Sequence, residues 1–202
     1  MRKDLPPFFF LRHGETAWNY ERRIQGQIDT DLNETGHKQA EAMARRLAQE
    51  VNDPSEYRFV TSPLKRTKQT MSYSLKALGL PEDHADEDEA LAELNFGEWE
   101  ERRWPELNEA GVDPAKDPVH YHNWRPEGGE SYADARERVG KWLESLDRPH
   151  IVVAHGGISR VVRGLVFGLE PQEIVQLKVP QTRFFRIADG KLDWFDAADA
   201  GA

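Results

Sequence analysis

The hydrophobic positions of this chain fall into two rhythms. Short apolar runs stand at Phe8 to Leu11 and at Ile151 to Ala154, and "YRFVTS" over 57–62 is a third, more mixed one. Runs of this length suit strands buried on both faces of a parallel sheet. Between them, apolar residues return every three or four positions. Ala40, Met43, Ala44, Leu47 and Val51 set out an amphipathic helix over 34–50, with Asn33 as N-cap and a break at 52–54. Leu64, Thr67, Met71, Leu75 and Leu78 mark a second helix, with Pro63 at its first position and Gly79 and Pro81 closing it.

Ser131 and Asp134 match a loosened capping box. The helix they open carries Tyr132, Ala135, Val139, Trp142, Leu143 and Leu146 and reaches about Asp147. Ile158, Val161, Val162 and Leu165 fix a further helix directly after the 151–154 run. "RFFRIADGKLDWF" reads as a hairpin turning at Asp189 and Gly190. "EDHADEDEALAEL" reads as an acidic surface loop leading to a short segment at 91–94. Residues 95–128 predict only partial helix, and 196–202 a frayed tail.

Strands alternating with helices predict an α/β fold, a three-layer α/β/α sandwich around a mainly parallel sheet. There is no repeat, low-complexity block or linker, so residues 1–202 are read as one domain.

Composition narrows the function. With 38% hydrophobic and 31% charged residues, the chain is of the soluble globular kind. A net charge of -9 argues against nucleic acid or an anionic membrane as partner. It leaves room for a small anion held in a local cationic pocket. The absence of cysteine excludes disulfides, thiolate metal sites and a cysteine nucleophile. No signal-peptide pattern and no apolar run of about 18 residues is present, so a cytoplasmic location is expected.

Candidate chemistry gathers where apolar runs end. Arg12 and His13 follow the first run directly. His155 follows the 151–154 run, with Gly156 and Gly157 at the helix start after it. Arg66 stands one turn past "FVTS", off the apolar stripe, where a surface charge would sit. Ligands of open parallel sheets bind beyond the carboxyl ends of the strands. Neighbouring strands would therefore bring these side chains to one pocket. His37, His84, His120, His122 and His150 have no such placement and read as structural.

Two guanidinium forks suit phosphate oxygens. Glycines at a helix start let backbone N–H groups approach an anion. A neutral imidazole nitrogen can attack phosphorus, and nearby cations disfavour the imidazolium. A metal ion would lack ligands at suitable spacing and would be repelled by both arginines. No H-E-x-x-H, nucleotide P-loop or G-x-S-x-G elbow is present. No cofactor and no metal are called for.

Six blocks in order carry a resemblance: "LRHGETAWN", "QGQIDTDLNETGHKQA", "TSPLKRTKQT", "LAELNFGEWE", "PEGGESYADARERV" and "VVAHGGISRVVRG". Together they resemble the histidine phosphatase superfamily, the phosphoglycerate-mutase-like group. The resemblance implies that fold and a set of roles. His13 becomes the nucleophile that carries phosphohistidine. Arg12, Arg66 and His155 hold the phosphoryl oxygens, with Gly156 beside them, and stabilise the transition state. Asn19 adds a hydrogen bond, and Gln25 and Gly26 line the substrate entrance. Glu93 becomes the acid for the leaving oxygen and then the base for water. Its need for a proton implies an acidic to neutral optimum.

Two departures matter. Mutases of the group carry a Glu-Arg-His-Tyr-like run and a basic insertion; here the run is Glu93-Leu94-Asn95-Phe96-Gly97. Arg102, Arg103, Lys116 and Arg125 are outnumbered by acidic neighbours, and no extra phosphate clamp is evident. Hydrolysis is thus expected over a phosphoglycerate-type mutase. A catalytically silent phosphate-binding or regulatory module is the rival from another class, although a binder needs neither nucleophile nor acid. Small phosphatases of the group often have Gly where Glu101 stands, which leaves the path of that loop open. Trp18, Tyr20, Trp99, Trp104 and Trp124 are candidates for an aromatic leaving-group pocket or for core. The expected partner is a small phosphorylated substrate, with a phosphoprotein as alternative, and the chain is expected to be a monomer or homodimer.

Overall fold

The computed structural model describes residues 5–199. Six strands form one sheet: β1 (Phe8–Arg12), β2 (Arg58–Thr61), β3 (Asp86–Glu87), β4 (His150–Ala154), β5 (Arg183–Ala188) and β6 (Lys191–Asp196). Their order is β3-β2-β4-β1-β5-β6. β3, β2, β4 and β1 run parallel, and β5 and β6 close one side as an antiparallel hairpin. Asp189 and Gly190 turn that hairpin with φ of 52° and 71°, the left-handed pair a two-residue turn requires.

Alternation along β1 divides the core. Phe8 and Phe10 point to one face, where helices α6 (Tyr132–Glu144) and α7 (Gly156–Phe167) pack with Val139, Leu143, Ile158 and Val162. Phe9 and Leu11 point to the other, against α2 (Glu34–Glu50) and α3 (Lys65–Ala77) through Met43, Leu47, Met71 and Leu75. The three-layer sandwich is as expected. Asn33 and Ser131 cap α2 and α6 as their positions predicted.

Several expectations need correction. Pro63 does not begin α3; the helix starts at Lys65, whose N–H is accepted by Asp29 from a distant loop at 2.7 Å. The acidic stretch contains the edge strand β3 and a 3₁₀ turn over Glu89–Leu91. The 95–128 region folds into a 3₁₀ turn at Gly97–Trp99 and two short helices, α4 (Trp104–Glu109) and α5 (Pro118–Asn123). A four-residue helix, α1 (Ala17–Tyr20), and α8 (Pro171–Gln176) had no periodic signal at all.

The first residues of the expected frayed tail are built into the fold. Asp196 ends β6, and Ala197 is buried against the α2 face with its N–H on Thr182 O. Residues 200–202 lie outside the described residues. Glu101 adopts a φ of 73°, so it keeps the left-handed turn where the group often has Gly.

Candidate active site

Three adjacent strands, β2, β4 and β1, end on one side of the sheet. His13 and His155 directly follow β1 and β4, and Arg66 sits in the first turn of α3, after β2. His13 follows β1, and its backbone N–H bonds to Ala154 O of β4. Its ring is buried. Nδ1 lies 2.7 Å from Gly14 O, so Nδ1 carries the proton and Nε2 presents a lone pair. Burial first, then the charges of Arg66 and Arg12, holds the imidazolium well below the ordinary 6.5. The neutral, nucleophilic form is the resident one.

Arg12 donates to Val179 O at 2.6 Å. Arg66 donates to Ile28 O and Gly26 O, each at 2.8 Å. Burial lowers both guanidinium pKa values to about 10. Both therefore remain charged at neutral pH. Both are held by carbonyl dipoles, and the ion pairs among the described residues involve neither. Arg66, expected in the pocket although its place off the apolar stripe is also that of a surface charge, is 0% exposed.

His155 is the N-cap of α7 and is also 0% exposed. Its Nε2 lies 2.7 Å from Ser62 Oγ. Ser62 Oγ accepts the Leu64 N–H at 3.4 Å, and its own hydrogen is available to His155 Nε2, the arrangement that puts the ring proton on Nδ1. That Nδ1 is buried without a partner, as are Arg12 Nε and Arg66 Nε. Burial, Arg66, His13 and Arg12 together hold His155 neutral, well below 6.5. The N-terminus of α7, at Gly156 and Gly157, adds positive dipole to the same end of the sheet.

Glu93 arrives from the 3₁₀ turn preceding it, on the opposite wall. Its Oε1 accepts the Leu94 N–H at 3.0 Å and its Oε2 the Gly157 N–H at 3.1 Å. A Cβ on residue 157 would stand 2.5 Å from Oε1, so glycine there makes the approach possible. Asn19 and Gln25 complete the wall. Gln25 Oε1 accepts from Thr16 Oγ1 at 2.8 Å and Thr30 Oγ1 at 2.7 Å. Asn19 Oδ1 accepts the Thr16 N–H at 3.2 Å, so both amides spend their oxygens on the protein, which leaves their NH₂ ends for the cavity they line. Gly26, φ 52°, sits where a Cβ would meet Glu100 Oε1 at 1.9 Å.

These groups border a cavity of about 220 Å³, except His155, which is not among its lining residues. Arg12, His13, Asn19, Gln25, Gly26, Arg66, Glu93 and Gly156 line it as expected. No group of three or more His, Cys, Asp or Glu able to hold a metal occurs among the described residues. No helix among them is long and apolar enough to cross a membrane.

The comparisons with known proteins then decide the family. The sequence pattern of the histidine phosphatase superfamily (branch 1) matches residues 8–191. The chain belongs to that superfamily. A metal-independent phosphoserine phosphatase of Arabidopsis thaliana is 35% identical over 80% of this chain and 69% of its own length. A glucosyl-3-phosphoglycerate phosphatase of Mycolicibacterium vanbaalenii is 32% identical over 79% and 73%. The solved structure of a mycobacterial glucosyl-3-phosphoglycerate phosphatase with VO3 superposes with a TM-score of 0.75 at 25% identity, covering 95% and 96%. A 2,3-bisphosphoglycerate-dependent phosphoglycerate mutase of Chelativorans sp. also matches, 31% identical over 84% and 85%. As a histidine phosphatase, the chain is an enzyme of the phosphoric monoester hydrolase class.

Within this histidine phosphatase the sequence reading missed several cavity residues. Arg160 and Arg23 both line it, so cationic groups beyond Arg12 and Arg66 are present where no extra clamp was expected. Arg160 donates to Leu177 O and to Tyr132 Oη. Its signal was its spacing, one turn after Gly156 on α7. Arg23 is tied to Glu21 and to Glu101 O. Of the five aromatic candidates only Trp104 lines the cavity, beside Phe96, which was not among them. Trp99 and Trp124 pack edge to face on each other, partly buried against the core, and Tyr20 is 79% exposed.

Proposed function

We propose that the protein is a metal-independent phosphatase of small phosphomonoesters, working through a phosphohistidine on His13 with Glu93 as proton donor. One observation carries this reading. His13, its Nε2 lone pair free of the tautomer lock on Gly14, stands among two buried guanidinium groups held by carbonyls rather than by carboxylates. Such a set lacks only a bound anion, and a phosphoryl group with its several oxygens suits it.

The steps follow from these positions. Nε2 attacks phosphorus, the N–P bond forms and the P–O bond to the leaving group breaks. Glu93 gives its proton to the departing oxygen. Water then attacks the phosphohistidine, Glu93 takes up a proton from it, and the N–P bond breaks to release inorganic phosphate. Arg12, Arg66 and His155 Nδ1–H stabilise the charge that builds on the equatorial oxygens. The carboxylate is aimed by Leu94 and Gly157 N–H.

Size supports a small substrate. A cavity of about 220 Å³ lies below the ~300 Å³ where drug-sized pockets begin. Phosphoserine and glucosyl-3-phosphoglycerate, named for two relatives, both carry a carboxylate, and Arg160 and Arg23 offer it a counter-charge. A mutase is the second reading, favoured by those same arginines and by the mutase relative.

The test is hydrolysis of p-nitrophenyl phosphate by wild type and His13→Ala in excess EDTA. Activity that survives chelation and disappears in the variant supports the phosphatase. An inactive, folded wild type that interconverts phosphoglycerate isomers would favour the mutase. A panel including O-phosphoserine and 3-phosphoglycerate then ranks substrates.

A further inference from the structure

The segment 177–181 is a strap with no regular structure of its own, and it reaches the cavity at Val179. Three arginines hold it by consecutive carbonyls. Arg160 Nε donates to Leu177 O at 2.9 Å, Arg163 Nη2 to Lys178 O at 3.0 Å and Arg12 Nη1 to Val179 O at 2.6 Å. Arg163 is itself buried, with Phe185 and Trp194 rings against its guanidinium. The strap is therefore fixed from below by charged groups that cost free energy to bury. Gln181 stands at its end.

Gln181 Nε2 has two hydrogens and two acceptors. One is His13 O at 3.1 Å and the other Asn19 Oδ1, also at 3.1 Å. Asn19 Oδ1 additionally accepts the Thr16 N–H at 3.2 Å. An amide has one acceptor end and one donor end. With two protein donors on Oδ1, the NH₂ end of Asn19 is the one turned to the cavity. Reversing the amide would set NH₂ against NH₂ at Gln181 and against the Thr16 N–H.

We infer that Gln181 is a positioning residue: it fixes the Asn19 amide with its N–H groups toward the phosphate and braces the backbone of His13 at the same time. The inference rests on the phosphatase reading, in which Asn19 meets a phosphoryl oxygen. Without Gln181 the Thr16 N–H alone holds the amide from the backbone, and any rotated amide turns toward the anion an oxygen that repels it. Only a side chain that donates two hydrogen bonds from one nitrogen does both tasks from this position.

The test is a double-mutant cycle on Gln181→Met and Asn19→Ala, read by the KM for p-nitrophenyl phosphate and by inhibition with inorganic phosphate. Gln181→Met, close in volume, should raise both KM and the phosphate inhibition constant about tenfold, the size of one lost charge-assisted hydrogen bond. In the Asn19→Ala background the same change should have a clearly smaller effect, only the part that comes from the lost His13 brace. Equal losses in both backgrounds, or no loss in the wild-type background, overturn the inference.

A second measurement needs no variant to fold well. The side-chain ¹⁵NH₂ signal of Asn19 in wild type should shift on adding inorganic phosphate, and an unmoved signal with phosphate bound overturns the inference. A wild type that neither binds phosphate nor hydrolyses the ester overturns the phosphatase reading itself, and this inference with it. The two failures differ in whether wild type or only the cycle gives the negative result.

Discussion

The rings of His13 and His155 lie with centroids 5.2 Å apart, tilted by 59°, in one buried chamber with two guanidinium groups. Neither ring can take a proton without placing a further positive charge there. Burial first, and those charges after it, hold both pKa values well below 6.5 in the folded chain.

That pairing makes folding sensitive to acid. Above 6.5 both states of the chain carry neutral rings, and the two histidines contribute no pH dependence. Below 6.5 the unfolded chain binds protons that the folded one refuses, so stability falls as pH falls toward the depressed values. Each ring contributes up to about 1.4 kcal/mol per pH unit in that window. Urea denaturation across the acid range should show this slope, and His155→Asn should make it shallower. An unchanged slope would contradict the depressed pKa.

The same depression keeps the nucleophile competent in mild acid. Arg66→Gln removes one of the charges that lower the His13 pKa, so the ring should titrate closer to neutrality. Histidine NMR titration of the resting enzyme reads this without relying on turnover. A His13 titration that stays put in the variant would assign the shift to burial and Arg12 without Arg66.

Ser62 orients His155 through one hydrogen bond at 2.7 Å. In Ser62→Ala the ring loses its tautomer lock, and Nδ1–H no longer has to face the phosphoryl group. The expected loss is about tenfold in kcat, with Ser62→Thr recovering much of it. Equal kcat in the alanine variant would remove Ser62 from the mechanism.

Glu93→Gln should separate substrates by leaving group. Loss of the acid costs on the order of 10²- to 10⁴-fold where an alkoxide must depart. A nitrophenolate leaves with little help, so p-nitrophenyl phosphate should lose much less in the phosphorylation step. Rapid quench of phosphoenzyme formation on both esters checks this. Equal losses on both would place Glu93 outside proton donation.

Much of this site was legible because strand ends are legible. The runs before His13 and His155 are too apolar to be anything but buried, and the charged residues after them had to sit at the sheet's edge. Arg66 was not legible in the same way. A polar residue off the apolar stripe reads as solvated, whereas here carbonyls of Gly26 and Ile28, distant in sequence, take its N–H groups. Glu93 emerged only through the family resemblance, since an acidic stretch gives no hint that one carboxylate turns inward. Arg160 and Gln181 were hidden because their roles depend on the irregular 177–181 segment, where no periodicity exists to read. Residues 95–128 stayed opaque because helices as short as α4 and α5 do not complete two turns of pattern.

Glu101 tests how the chain tolerates a departure from the group. Its φ of 73° carries the cost of a left-handed residue with a Cβ, about 1 kcal/mol. Glu101→Gly should raise stability by up to about that amount in urea denaturation, and a destabilised variant would mean the exposed side chain contributes more than the turn loses.

The order of the sheet also has a bearing on how the protein is made. β1 lies between β4 and β5, so its first residue partner in the sheet is His150. At ribosomal speeds of roughly 5–20 residues per second, β1 waits about 7 to 30 s for that neighbour. Throughout that interval Phe8, Phe9 and Phe10 have no sheet to enter, and His13 is an ordinary solvated imidazole. Reactivity is thereby switched on late in the life of the nascent chain, and an interrupted translation product ending before β4 holds the nucleophile without the chamber that makes it one.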